Sequence, residues 1–323
     1  MRKQFTTSYE EIISVENLLA AWQEFLSGKR NKLDVQVFQL RLMGNILSLH
    51  QDLENFTYVH GGYTYFKIND PKPRDIHKAN VRDRLLCHAV YRKLYPFFDS
   101  TFISDSYSCR LRKGTHRALK QFEKFGSETS KNCTHTCWVL KCDIRKFFAN
   151  IDHKILFGIL AQYVPDENVQ WLLEKVISSF EPGLPLGNLT SQLLVNIYMN
   201  EFDQYVKHKL KVKQYIRYAD DFVFLSDNRA WLEQLIPQIS DFLNTQLNLS
   251  LHPKKVSIAT LASGVDFLGW VHFPDHQVLR TATKKRMFRN IAIRLDNPAT
   301  MQSYRGLLQH GNTHKLQNIL KAT

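Results

Sequence analysis

The stretch Gln214-Tyr-Ile-Arg-Tyr-Ala-Asp-Asp-Phe-Val-Phe-Leu225 decides how this chain is read. Two β-rich arms flank Ala219-Asp220-Asp221, which predicts a hairpin with acids at its tip. Aspartate pairs are ordinary turn residues. Here both neighbours are strongly apolar, so charge is being placed at the end of buried strands. Asp143 is the matching case. Residues 138–144 (WVLKCDI) read as a strand with Val139, Leu140 and Ile144 as apolar members, and it ends at that acid. Three carboxylates converging from strand ends can hold two Mg²⁺ ions, because hard cations prefer oxygen ligands. Two such metals activate one oxygen and stabilise a leaving oxygen, which is the chemistry of nucleotidyl transfer.

Working outward, residues 14–27 carry apolar residues at helical spacing, with Ser14 as cap and Gly28 as stop. A second helix is expected over 34–54. Gly61-Gly62 breaks the pattern, alternation over 63–69 reads as a strand, and Asp70-Pro71-Lys72-Pro73 as a turn, giving a short hairpin that carries Lys67 and Arg74. Helices are expected over 81–95, ended by Pro96, over 191–210 and over 230–247; residues 265–273 read as a strand pair. From Arg280 onward the chain is helical in tendency and basic. Strands and helices alternate without a βαβ rhythm, so the fold class is α+β.

The chain has 323 residues, 44% hydrophobic and 23% charged, an ordinary globular composition that excludes disorder, collagen and coiled coil for its bulk. Its 43 Lys+Arg against 30 Asp+Glu leave a formal charge of +13, which favours a polyanionic partner such as nucleic acid, or an anionic membrane surface. No signal-peptide core and no apolar run of about 18 residues occurs, so no spanning helix is expected. Five cysteines, an odd number, fit a reducing compartment. Cys133-Thr-His135-Thr-Cys137 looks like a fragment of a metal site but lacks paired CxxC spacing.

The segment YADD, with Asp143 lying 77 residues before Asp220, resembles the palm of a reverse transcriptase. Other blocks follow in the family's order. Val81-Arg82-Asp83-Arg84 resembles the early fingers motif, and Lys141-Cys-Asp-Ile-Arg-Lys-Phe-Phe148 the first catalytic motif. Gly183-Leu-Pro-Leu-Gly-Asn-Leu-Thr-Ser-Gln192 resembles the template-and-nucleotide block, Leu251-His-Pro-Lys-Lys255 the block with a catalytic-loop lysine, and Phe267-Leu-Gly-Trp270 the primer grip. The resemblance covers about residues 60–290 and implies a right-hand polymerase. It would comprise an N-terminal helical extension (1–60), fingers and palm (61–272) with an antiparallel sheet, and a short basic helical thumb (273–323).

By that resemblance, Asp143, Asp220 and Asp221 are metal ligands together with the backbone carbonyl of Ile144, holding two Mg²⁺, with Mn²⁺ as an alternative. Phe148 would lie under the sugar and exclude a 2′-hydroxyl. Lys67, replaceable by Lys72, and Arg74 would neutralise the triphosphate. Lys254 or Lys255 would protonate the pyrophosphate. Arg110, Arg112 and Lys113 suit contact with template phosphates. Gly187, Asn188, Ser191, Gln192, Leu268, Gly269, Lys284, Lys285 and Arg286 complete the template and primer surface. Many relatives have Gln-Gly and Ser-Pro where this chain has Leu186-Gly187 and Ser191-Gln192. That departure, with GNLTSQ and CRLRKGTHRAL, resembles the enzymes of diversity-generating retroelements, which implies mutagenic copying opposite template adenine, with Leu186 relaxing a polar check beside the incoming base.

The implied partners are template RNA, cDNA and dNTPs, with a structured non-coding RNA and a small basic, possibly oligomeric, accessory protein. The implied location is the cytoplasm of a bacterium or archaeon, or a phage-infected cell, with no membrane. Two other readings stand beside this one. A defence-associated or retron-like enzyme with a dedicated non-coding RNA shares the palm motifs. An RNA-binding maturase-like scaffold is opposed by the complete acid triad. Residues 280–323 hold nine Lys/Arg and one acid, and residues 110–124 hold six and one, so these two segments account for the whole excess charge. They are expected to clasp a duplex on either side of the acids.

Overall fold

The computed structural model describes residues 3–69, 73–293 and 298–322. The hairpin expected after the glycine pair forms from β1 (Tyr63–Ile68) and β2 (Arg74–Ala79). A four-stranded sheet follows, built of β3 (Trp138–Asp143), β4 (Tyr215–Tyr218), β5 (Asp221–Ser226) and β6 (Ser257–Thr260). Its order is β4-β5-β3-β6 and every neighbouring pair is antiparallel. A small antiparallel meander, β7 (Val265–Phe267), β8 (Trp270–His272) and β9 (Gln277–Leu279), leads toward the C-terminal helices.

Alternation along the central strands sends side chains to two different cores. Leu140, Cys142, Tyr215, Phe222 and Phe224 join one core, covered by the helices Leu189–Gln204 and Arg229–Leu247. Val139, Ile216, Val223 and Leu225 join the other, with Leu119, Phe122 and Phe125 of the helix Thr115–Thr129 and with Phe267 and Trp270 of the meander. Burial on both faces is why the arms around Asp220 are apolar almost without interruption.

The N-terminal helices are part of the first core rather than a separate body: Ile12, Leu18, Trp22, Phe25, Ile46 and Leu49 all belong to it. Arg82 and Arg84, from the VRDR motif, pair with Asp52 and Asp34 of these helices. Asp83 between them turns inward, accepting from the Tyr58 hydroxyl and the Gly61 backbone, both at 2.8 Å, so it anchors the base of the hairpin. A Cβ at Gly61 would stand 2.0 Å from the Asn80 amide nitrogen, so a side chain there would have to displace the Asn80 side chain that caps the helix Val81–Asp99.

Three sequence expectations are corrected. The helix over 34–54 is two helices, Leu33–Leu40 and Leu42–Glu54. Arg41 leaves the helical region between them, and the Asn45 amide donates to the Phe38 carbonyl across the break. Pro96 does not end its helix, which runs Val81–Asp99; buried Leu94, Tyr95 and Phe98 hold the turn around the proline against the core. The helix over 191–210 ends at Gln204 and continues as a π-turn, Tyr205–Lys209.

The C-terminal helices are Thr281–Ile293, Pro298–Leu307 and His314–Ala322. The first buries Thr283, Met287 and Ile291 at helical spacing and leaves Lys284 and Lys285 exposed. Arg286 is half-buried. β9 extends the meander past residue 272, so the sheet crosses the expected boundary between palm and thumb. Among the described residues no helix is long and apolar enough to cross a membrane.

Candidate active site

The hairpin β4–β5 turns through only two residues, Ala219 and Asp220, with Tyr218 paired to Asp221. Ala219 takes φ 57°, an uncommon conformation for a residue with a Cβ. The turn is tied down from below. Arg217 and Asp203 are both fully buried, and the guanidinium makes a two-pronged contact with the carboxylate at 2.8 and 2.7 Å. The same guanidinium donates to the Ala219 carbonyl at 3.2 Å, the Asn196 amide oxygen at 3.1 Å and the Ser106 hydroxyl at 3.0 Å. The Tyr215 hydroxyl also donates to Asp203, at 2.8 Å. Sequence reading passed over Arg217; the only signal was a charge at an inward strand position.

β3 brings in the third acid. Asp143 is the register partner of Asp221, and the Ile144 amide donates to the Asp220 carbonyl at 3.2 Å. All three acids therefore lie at one end of the sheet. Burial first, and then the charges of Asp221 and Asp143, push the Asp220 carboxyl up to about 6. Burial also raises Asp221, an effect opposed by the Lys141 ammonium. Lys255 donates to both oxygens of Asp143 at 2.8 Å, and His252 donates its amide to the Asp143 carbonyl at 2.7 Å. The lysine of the LHPKK block that reaches the acids is thus Lys255, although both lysines are exposed.

The template block is held against both fingers and palm. His77 of β2 donates to the Leu186 carbonyl at 3.2 Å, and Leu184 donates to the Phe148 carbonyl at 2.8 Å. Gly183 takes φ 72°, and a Cβ there would lie 2.2 Å from the Phe148 carbonyl oxygen. Phe148, half-buried in the short 3₁₀ turn Phe147–Asn150, and half-buried Leu186 are so brought to one loop cluster. Gly187 is exposed at φ 113°. Asn188 is buried and donates to the Tyr63 hydroxyl at 3.4 Å; Ser191 is buried and Gln192 half-buried in the helix that follows. Leu268 and Gly269 form the two-residue turn between β7 and β8, both with positive φ.

Several expected nucleic-acid residues are placed elsewhere. The Arg110 guanidinium is turned inward on the Asp99 carboxylate at 2.6 Å and the Ile103 and Ser106 carbonyls at 2.7 and 3.0 Å. That leaves it a brace between loop and helix, not a hand for template phosphate. Lys113 donates to the Ser104 carbonyl at 2.7 Å; only Arg112 of the three is exposed. Lys67 is opposite Asp75 and Arg74 opposite Ile68, so the two cations project from opposite faces of the ribbon and do not form a single clamp. Lys72 lies outside the described residues. The basic stripe of the helix Thr115–Thr129 lines a groove to which none of the three acids contributes, while Thr115 at its start donates to the Tyr218 hydroxyl at 3.2 Å, beside the acids.

Hard oxygen donors at one strand end are the right chemistry for a divalent cation. Among the described residues no three acid, histidine or cysteine side chains close into a metal-holding group. Cys133 is exposed and Cys137 is buried, its thiol pushed up to about 12 by burial.

An α+β chain whose central antiparallel sheet ends in three acids, with a β-ribbon before it and basic helices after it, has the right-hand polymerase fold. The family model described as "Reverse transcriptase (RNA-dependent DNA polymerase)" matches residues 68–272. The chain belongs to the reverse transcriptase family, and its enzyme class is RNA-directed DNA polymerase. Protein YkfC of Escherichia coli is 24% identical over 262 residues, covering 68% of this chain and 67% of that protein. The group II intron-encoded protein LtrA of Lactococcus lactis is 24% identical over 296 residues. There the match covers 68% of this chain and 47% of the relative, so the chain spans about half the length of LtrA. A solved telomerase from Candida albicans, in complex with a fragment of telomeric RNA, superposes with a TM-score of 0.50 at 10% identity, covering 68% of this chain and 46% of that one. That likeness is one of fold.

Proposed function

We propose that this chain copies an RNA template into cDNA by metal-dependent nucleotidyl transfer at Asp143, Asp220 and Asp221. The observation that carries the reading is the register: Asp143 is paired with Asp221, with Asp220 hydrogen-bonded to the next residue, in a chain of this family. Asp143, Asp220, Asp221 and the Ile144 carbonyl would hold two Mg²⁺, or Mn²⁺, which neutralise charge on the reacting phosphate and the leaving oxygen when bound. The protein's own part is positional. The buried Arg217–Asp203 pair fixes the turn, and the two joined loops holding Phe148 and Leu186 would place sugar and base. Lys255, whose ammonium is held on Asp143, would give a proton to departing pyrophosphate. Lys255→Ala is expected to slow turnover by roughly 10²-fold, the usual scale of a lost general acid, and Lys254→Ala to leave it nearly unchanged. Single-turnover rates for the two variants decide between these lysines.

The test of the reading is primer extension on poly(rA)·oligo(dT) with Mg²⁺. Extension by the parent, abolished by EDTA and absent from Asp220→Asn, supports it; extension equal in the variant rules it out, and inactivity of the parent with its RNA bound favours the scaffold reading.

We further propose the diversity-generating subtype, supported by Leu186 beside the Phe148 loop. An aliphatic side chain there makes no hydrogen bond to an incoming base pair, so discrimination falls. Leu186→Gln is expected to lower misincorporation opposite template adenine by roughly tenfold, one hydrogen bond's worth of selectivity. Sequencing of the cDNA reads this out, and an unchanged adenine error rate favours the defence-associated or retron-like alternative. A structured RNA and a small basic accessory protein are the partners this subtype would take.

A further inference from the structure

The helix Thr115–Thr129 buries Ala118, Leu119, Phe122 and Phe125 against the β4–β5 face and turns a different stripe outward. Arg117, Lys120 and Lys124 stand on that stripe at i, i+3 and i+7, all exposed. Beside them two adjoining hollows of about 750 and 720 Å³ share Tyr107, Lys113 and Gln121, and so form one continuous groove. Its far wall is the π-turn Tyr205–Lys209 and the residues that follow it, which contribute Lys207, Lys211 and Lys213. Seven cations line the groove against two acids, Asp105 and Glu123. Asp105 is already paired with Lys207 at 3.3 Å, and Lys124 leans on Glu128 at 3.7 Å. Arg117, Lys120, Lys211 and Lys213 have no carboxylate partner among the described residues.

The far wall of the groove is set back from the acids along β4. The catalytic turn follows the C-terminal end of β4, and Lys211 and Lys213 precede its N-terminal end. β4 alone separates the two by about 10 Å at ~3.3 Å per residue. Unpaired cations spaced along an open channel, rather than gathered in a closed pocket, match a run of phosphates on a chain, not a single small anion. Tyr107, itself buried, floors the channel under the Lys113 ammonium at 5.1 Å, so the floor is closed and the ligand is held from its backbone.

We propose that this groove is a second RNA-binding surface, which grips the phosphodiester backbone of a structured RNA outside the template–primer duplex. The proposal rests on the RNA-templated reading above and adds where an RNA that is not being copied would be held. It also gives a role to four of the six cations of residues 110–124, namely Lys113, Arg117, Lys120 and Lys124.

The test uses the full chain and two readouts. Lys120→Gln/Lys211→Gln/Lys213→Gln removes three exposed ammoniums without touching a core residue. Binding of a fluorescently labelled structured RNA of about 60 nucleotides is measured against salt, and extension of a short poly(rA)·oligo(dT) duplex is measured in parallel. The expected result is a loss of RNA affinity of roughly tenfold or more near 150 mM salt, with the log–log salt slope shallower by about 2. Extension of the short duplex is unchanged, and the matching triple arginine variant restores binding. Affinity and slope both equal to the parent's would overturn the proposal, as would equal losses of binding and short-duplex extension, which would make the groove part of the template path. Binding lost only to phosphatidylglycerol vesicles, with RNA binding intact, would overturn it in favour of a membrane. If the triple variant melts early, Lys211→Gln/Lys213→Gln alone carries the same comparison. Because RNA binding is read directly, failure of the parent to extend a primer would count against the polymerase reading and leave this test standing.

Discussion

Asp220→Asn is expected to abolish primer extension, by roughly 10³-fold or more, and at the same time to make the protein more stable above neutral pH. The activity loss follows, on the proposed reading, from removing one charged oxygen donor from a site where bound metals would supply several kcal/mol of transition-state stabilisation. The stability gain follows from the raised Asp220 carboxyl, which titrates near 6 in the folded chain against an ordinary 3.8. The folded state therefore holds the proton more tightly than the unfolded state does. Its contribution to stability is complete below about pH 4 and is lost as pH rises through 6. At pH 8 the ionised carboxylate opposes folding by about 2 kcal/mol, the scale of a two-unit shift discounted for partial exposure. Asparagine has the same shape and no charge. Thermal melts in EDTA should show the variant several degrees above the parent at pH 8, with the gap closing toward pH 4. A gap that does not change with pH would mean that burial and the neighbouring acids do not raise the Asp220 carboxyl.

Arg217 gives the second large effect. Arg217→Met removes the guanidinium that satisfies Asp203 and leaves a buried carboxylate with only the Tyr215 hydroxyl and no counter-charge. Breaking one side of a buried pair costs about 3–5 kcal/mol. The double variant Arg217→Met/Asp203→Leu removes both charges, and should recover most of that stability, because an apolar pair of similar volume packs as well as an ion pair that must be desolvated. Activity should not recover with it. The Ala219 carbonyl has lost its donor, and the links to Asn196 and Ser106 are gone, so the turn that carries Asp220 is no longer held at φ 57° for Ala219. A fall in kcat of tenfold or more in a stably folded double variant is the expected outcome. Full activity in that variant would assign the pair to folding alone. Urea unfolding and single-turnover extension, run on the same preparations, separate the two.

Much of the palm was legible because its signals are local. Alternation along β4 and β5 needs only neighbouring residues, and so does the break at Ala219-Asp220. The hairpin of β1 and β2 was read from a glycine pair and a proline-rich turn in the same way. What failed were readings that depended on distant parts of the chain. Arg110 looked like a free phosphate ligand, yet Asp99 and two loop carbonyls take up its guanidinium. Lys67 and Arg74 looked like a pair, yet the strand register sends them to opposite faces. Pro96 looked like a stop, yet packing carried the helix to Asp99.

The sequence by itself determined the acids, the strands that end in them and the family to which they belong, since motif order and period-two burial are written along the chain. Its +13 charge was also plain, but not its direction. Only the tertiary structure decided that Lys255 and not Lys254 meets Asp143, across 112 residues. It also decided that a fully buried Arg217 supports the turn carrying Asp220, and that the basic helix lines a groove shared with Lys211 and Lys213. The physical reason is the same in each case. A charged side chain takes the partner that folding brings within about 3 Å, and that partner is set by which strands and helices pack together, not by the residues beside it in the chain.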